Sequence, residues 1–200
     1  MLVAVDSTPG RFVLGVTGPP AAGKSTLAAA LAKTVAKERG AAFAAIAPLD
    51  GFHLSNETLD CLGLRSVKGA PQTFDAAAFV RAVRRLRTEP AATVLWPDFD
   101  RAAEETIPDA ISIGSEARLV ITEGNYLLLE RSPWCELRVL LDEVWYLDVP
   151  REDLRRRLID RQLAGGRSEA DALRHVVDSD LRNADLVAET RHLADRALWQ

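Results

Sequence analysis

Residues 15–27 read GVTGPPAAGKSTL. Ahead of them, Arg11–Thr17 is short, apolar and partly β-branched, the pattern of a buried strand. Behind them, Leu27, Ala30, Leu31, Thr34 and Val35 recur at helical spacing. The stretch is therefore a strand–loop–helix turn, and Gly18-x-x-x-x-Gly23-Lys24-Ser25 is the P-loop pattern. Small residues let backbone N–H groups surround phosphate oxygens, and the helix N-terminus adds the positive end of its dipole. Lys24 can reach terminal phosphates, and the Ser25 hydroxyl can join the coordination shell of Mg²⁺. An ordinary glycine turn is the alternative, and the flanking strand and helix weigh against it. Gly18, Pro20, Ala21, Ala22, Gly23, Lys24, Ser25 and Thr26 are the expected nucleotide-binding residues.

The chain has 200 residues, enough for one α/β domain with a real core. Its net charge of −4 argues against a nucleic-acid partner, which usually selects a basic excess. Cys61 and Cys135 lie far apart and have no metal-ligand spacing, so they read as reduced thiols of a cytoplasmic protein. The opening MLVAVDSTPG has no basic segment or long apolar run, so no leader is expected. No run of about 18 apolar residues occurs, so no membrane span is expected either.

Five apolar runs read as core strands: Arg11–Thr17, Ala42–Ala47, Arg118–Thr122, Glu143–Leu147 and Asp195–Trp199. Helical patterns over about 24–39, 75–88, 151–163 and 168–182 separate them. Alternation of this kind predicts a parallel sheet with helices on both faces, binding ligands at the carboxyl ends of its strands. The polar residues placed there are the P-loop, then Asp50-Gly51-Phe52-His53, then Glu123-Gly124-Asn125. The stretch 50–115 is long for one crossover and reads as an insertion covering the strand ends. It holds a short helical piece near 55–62 and two strand-like pieces, Thr93–Trp96 and Ala110–Ile113, that could pair as a hairpin. Such a region is where an acceptor substrate would be held.

Phosphoryl transfer to an alcohol needs alignment, charge neutralisation and a group that takes the hydroxyl proton. Asp50 is the candidate for that last role, against a plain Asp-Gly turn. Glu123 ends an apolar strand and could hold Mg²⁺ or orient Asp50, against a solvated strand end. His53 could face the acceptor or simply pack beside Phe52. The segment 151–161 carries many arginines, and about 151–168 reads as a lid hinged at Gly165-Gly166. Arg157, Arg161 and Arg167 are the candidates to clamp a transferring phosphate; a solvated helix face is the alternative.

At this point the chain resembles the P-loop kinase group that contains uridine kinases, phosphoribulokinases and type I pantothenate kinases. Within it, the chain looks most like bacterial nucleoside/nucleotide kinase family proteins, some labelled fructose transport system kinases. The matching words are GPPAAGKST, LDGFHLSN, KGAPQTFD, WPDFDR, ITEGNYLLL and RLIDRQLAGG followed by DSDLRNADLV, in order across most of the chain. The resemblance implies a P-loop NTPase-type three-layer sandwich with strand order 2-3-1-4-5, ATP and Mg²⁺ as cosubstrates and a small alcohol as acceptor. It implies Asp50 as proton acceptor, Glu123 as the acidic strand-end residue, and lid arginines at Arg157, Arg161 and Arg167. It also implies acceptor contacts from Lys68, and draws attention to Arg101 and Asn183 through the words that hold them; Asn125, just past the strand that ends at Glu123, is a further candidate to touch the acceptor.

The chain departs from its relatives. Pantothenate kinases are longer and usually read KGFPESYD where this chain has KGAPQTFD, and uridine kinases usually vary around the DGF word where this chain has DGFHL. Neither acceptor is therefore fixed, and nucleoside, pantothenate-like acid and sugar stay open. A P-loop ATPase or a nucleotide sensor without an acceptor is the competing function; the base-reading Asn-Lys-x-Asp and the transporter LSGGQ words are both absent. Relatives assemble differently, so either a monomer or a homodimer is expected.

Overall fold

The computed structural model describes residues 1–199. In chain order the strands are β1 (Phe12–Thr17), β2 (Ala44–Pro48), β3 (Val94–Asp100), β4 (Glu105–Ile113), β5 (Leu119–Glu123), β6 (Glu143–Asp148) and β7 (Arg196–Trp199). The helices are α1 (Leu2–Ser7), α2 (Lys24–Arg39), α3 (Asn56–Cys61), α4 (Ala76–Thr88), α5 (Arg151–Ala164), α6 (Glu169–His175) and α7 (Leu181–Ala188). Five strands form one parallel sheet in the order β2-β5-β1-β6-β7, and β3 and β4 pair apart from it as an antiparallel hairpin. Counting only the five sheet strands in chain order, this is 2-3-1-4-5.

The sheet is central because β1 and β5 are buried along their whole length, as parallel strands covered on both faces must be. Successive side chains point to opposite faces, so each strand feeds two cores. Phe12, Leu14, Val16, Leu119 and Ile121 meet Ala28 and Val35 of α2 and Leu154 and Leu158 of α5. Val13 and Val120 meet Phe79, Val83 and Leu86 of α4, together with Trp96, Tyr126 and Trp134. This gives the three expected layers.

Helix starts follow side-chain caps. Ser55, Asp75 and Ser168 each accept a hydrogen bond from the backbone N–H three residues on. The helical pattern read over 168–182 extends further than its spacing predicts. It runs from α6 through a π-helical turn, Val176–Asp180, into α7 and ends at Ala188. Helix α1 has no sequence signal: LVAVDS is rich in strand formers, and burial of Val5 (0% exposed) overrides that propensity. The hairpin is longer than its two apolar pieces, because its outer halves are polar and reach into solvent.

No helix among the described residues is long and apolar enough to cross a membrane.

Candidate active site

Register decides what meets at the sheet's carboxyl edge. Val16 of β1 lies opposite Glu123 of β5, and Glu123 lies opposite Pro48 of β2. The P-loop leaves β1, Asp50 follows β2, and Glu123 ends the strand between them. Three loops distant in sequence thus converge on one edge.

The loop after β1 has the backbone of a cradle. Ala21 sits at φ 62, in the left-handed region that non-glycine residues seldom occupy, and Gly23 at φ 92 opens α2. At Gly18 a Cβ would stand 2.7 Å from the Leu147 carbonyl oxygen, so only glycine lets the loop root press against β6. Lys24 is 7% exposed, and its Nζ donates to the Pro19 carbonyl at 2.9 Å. Burial pulls its pKa down to about 8, against the opposing charges of Glu123 and Asp50. Arg161 lies close enough to press the Lys24 pKa down further.

Ser25 Oγ donates to Glu123 Oε1 at 2.8 Å. Burial raises the Glu123 pKa, and the Lys24 charge opposes the rise. A hydroxyl and a carboxylate in contact form an oxygen donor set that suits a hard cation. No group of three or more His, Cys, Asp or Glu side chains able to hold a metal occurs among the described residues. A cation here would draw its remaining ligands from nucleotide phosphates and water, as Mg²⁺ in phosphoryl-transfer sites does.

Asp50 opens a short 3₁₀ turn, and its Oδ2 accepts from Arg101 at 2.8 Å. Ser25, Asp50, Asp98, Phe99, Arg101 and Glu123 line one cavity of about 250 Å³. The turn is clamped from above by the hairpin, since a Cβ on Gly51 would lie 2.2 Å from the Pro97 carbonyl oxygen. Trp96 fixes that approach: it is 0% exposed, its Nε1 donates to the Pro48 carbonyl at 2.9 Å, and its ring meets Phe52 edge-on at 5.1 Å.

Beside this cavity, the His53 ring lies between Phe74 (4.0 Å between centroids) and Phe99 (4.7 Å). Its Nδ1 meets the Asp50 carbonyl at 2.8 Å, and a carbonyl can only accept, so Nδ1 carries the proton. Burial pushes the imidazole below its ordinary pKa. Lys68 Nζ donates to Asn56 Oδ1 and to the Glu104 carbonyl, both at 2.6 Å, and stands 5.1 Å over the Phe99 ring. The Tyr126 hydroxyl donates to the Gly69 carbonyl and ties the EGNY and KGAP words together. The Asn125 carbonyl accepts from Thr17 Oγ1 at the root of the P-loop.

Lys24, Ser25, Asp50, Arg101 and Glu123 are therefore brought together, with Arg161 nearby and His53 and Lys68 on an adjoining wall. Arg157 is half-buried on α5, and Asn183 is buried within α7. Arg167 does not share the surroundings of Arg161; it lines a second cavity with Arg65 and Arg174. Asp98, Phe99 and Tyr126 have no part in the expectation from sequence. The word WPDFDR carried the signal for the first two, but a strand's alternation does not say which of its residues overhangs another loop.

A Schizosaccharomyces pombe protein provisionally named a uridine kinase is 35% identical over 196 residues, covering 95% of this chain and 83% of its own. A pantothenate kinase of Corynebacterium efficiens is 29% identical over 94% of this chain, which spans only 56% of that enzyme's length. The crystal structure of a Silicibacter sp. TM1040 protein provisionally named a fructose transport system kinase superimposes with a TM-score of 0.90. Its sequence identity is 36%, covering 98% of this chain and 95% of that one. No family model matches the chain.

Proposed function

The chain belongs to the P-loop kinase group of the uridine, phosphoribulose and pantothenate enzymes, and we propose that it transfers the γ-phosphoryl group of ATP to a hydroxyl of a small molecule held against Asp50. It is an ATP-dependent phosphotransferase with an alcohol acceptor. The observation that carries the finer reading is the division between the two carboxylates on one edge. Both line the cavity under the hairpin, but Glu123 is buried and bonded to Ser25, whereas Asp50 is partly exposed and held by an exchangeable ion pair with Arg101.

In this reading the P-loop backbone from Gly18 to Thr26 cradles the phosphates, and the Lys24 ammonium leaves the Pro19 carbonyl to meet them. Ser25 and Glu123 would hold Mg²⁺, which would supply neutralising charge to the phosphates. Asp50 orients the acceptor hydroxyl and takes its proton as the new O–P bond forms and the bond to the ADP oxygen breaks. Arg101 must release Asp50 for this, and a half-exposed ion pair is cheap to exchange. Arg161, with Arg157 behind it on α5, adds positive charge where the transferring group gains negative charge. His53, Lys68, Asn125 and Asn183 shape the acceptor wall and its supports.

The test is ADP release from Mg·ATP with and without a pool of nucleosides, sugars and hydroxy acids. Strong stimulation by an alcohol, with a matching mass shift on that alcohol, is the expected result. Equal rates with and without the pool point instead to an ATPase, and no turnover points to a sensor.

A further inference from the structure

The second cavity is larger than the one beside Asp50, about 470 Å³, and lies between the turn Arg65–Val67 of the insertion and the α6–π segment. Arg65, Arg167, Arg174, His175 and Ser179 line it. Two acids also face it, Asp171 and Asp178, and Arg65 is paired at 3.2 Å with Asp60, an exposed ion pair that is cheap to exchange for another anion. Asp171 is already engaged, accepting from Ser168 Oγ at 2.7 Å and lying 3.7 Å from Arg174. His175 faces Asp180 at 3.9 Å, and burial lowers its pKa, so it adds little positive charge at neutral pH.

Ser179 is the unexplained group. It is 5% exposed, and its Oγ is buried with no hydrogen-bond partner. Three other helical hydroxyls settle on the carbonyl four residues back: Ser7 on Val3, Thr34 on Ala30, Thr88 on Arg84. Ser179 lies in the π-helical turn, whose widened backbone removes that acceptor from its usual place. A buried hydroxyl left without a partner costs free energy unless something else satisfies it. Here Ser179 lines a cavity together with three guanidinium forks, the donors that best match a planar or tetrahedral oxyanion.

The cavity also adjoins the acceptor wall. Val67 lines the cavity and is followed in the chain by Lys68, which stands over Phe99, and Phe99 stacks on His53 beside Asp50. We propose that this cavity is an oxyanion subsite of the acceptor, so that the preferred alcohol carries a carboxylate or phosphate remote from the hydroxyl that is phosphorylated. The inference rests on the kinase reading of the Asp50 site and narrows its substrate class: a neutral nucleoside or free sugar leaves the cavity unfilled.

Two measurements test it. First, inorganic phosphate is titrated calorimetrically into the protein saturated with Mg²⁺ and a non-hydrolysable ATP analogue, so that the P-loop is already filled. Arg65→Gln should weaken phosphate binding by about ten- to a hundredfold, the scale of a charge-assisted hydrogen bond. Ser179→Ala should weaken it by about two- to tenfold, with thermal stability unchanged or slightly raised because an unsatisfied hydroxyl is removed. Second, matched alcohols are compared as acceptors: glycerate with glycerol, ribose 5-phosphate with ribose, pantothenate with pantothenol. The anionic member of a pair should have the higher kcat/KM by about tenfold or more, and its identity shows whether carboxylate or phosphate is preferred. Phosphate binding untouched by both substitutions overturns the proposal, as does equal or better use of the neutral alcohols. If no alcohol in any pair is phosphorylated, the kinase reading fails separately, and the phosphate titration still decides the cavity.

Discussion

The P-loop lysine is buried and held by a near neighbour: Lys24 is bonded to Pro19, five residues away. Asp50, on the same edge, is partly exposed and held across the chain. Arg101 reaches Asp50 over 51 residues, with side-chain exposures of 56% and 29%. The P-loop is preorganised by its own backbone, whereas the acceptor wall exists only while the hairpin is docked. That docking rests on the Trp96 anchor and on the close approach of Pro97 to Gly51. The exposed ion pair contributes little to it. The anchor can therefore stay fixed while the pair opens.

The comparison breaks most sharply at Asp50. Asp50→Asn keeps the turn and removes the basic oxygen. Steady-state kinetics should show kcat down by roughly 10²–10⁴, the scale of a positioned general base. Calorimetry should show ATP affinity within about threefold of wild type. Near-wild-type turnover would reduce Asp50 to a turn residue, and joint collapse of ATP affinity would move it to the metal side and make Glu123 the better base.

Trp96→Ala tests whether the two sides are separable. Loss of a fully buried indole costs about 3–5 kcal/mol, so a thermal melt should shift well downward. At a temperature where the variant is folded, acceptor-dependent turnover should fall while Mg·ATP binding persists. Equal loss of both would show that the hairpin also supports the P-loop.

Lys24→Ala probes the nucleotide side alone. Activity should drop by about 10²-fold or more, as for a lost preorganised charge. The circular dichroism melt should stay close to wild type, since burial of a charged amine adds nothing to the core. A strongly lowered melt would assign Lys24 a structural role through Pro19.

The smallest effect is a pH dependence. In the free protein Lys24 holds its proton below about pH 8, whereas the ordinary lysine value is 10.5. Phosphates favour the charged amine and raise its pKa on binding. Between about pH 8 and 10.5, nucleotide binding should therefore take up as much as one proton, and affinity should weaken by up to about tenfold per pH unit. Titrations at pH 9 in buffers of different ionisation enthalpy measure the uptake. Lys24→Ala should abolish it, and uptake that survives the substitution would place the proton elsewhere.

The sequence was most legible where function is local. The P-loop, the strands behind Asp50 and Glu123, the capped helices α3 and α4, and the hairpin's apolar halves all announce themselves within a few residues. Ser55 and Asp75 mark helix starts by their own hydrogen bonds. What could not be read is contact between segments. Arg167 shares an arginine-rich stretch with Arg161, yet the Gly165-Gly166 break turns it toward Arg65 rather than Lys24. Ser179 looks like any helical serine, because a π-helical turn leaves no mark in residue spacing.

By itself, the sequence determined the phosphate cradle and the alternation of strands and helices, since both depend on backbone dihedrals and apolar periods within contiguous segments. Only the tertiary structure decided that Glu123 would bond Ser25, that Arg101 would hold Asp50, and that three arginines would line one cavity with Ser179. Those meetings depend on strand register and on how the insertion docks, and both are set by burial summed over the whole sheet rather than by the residues that meet.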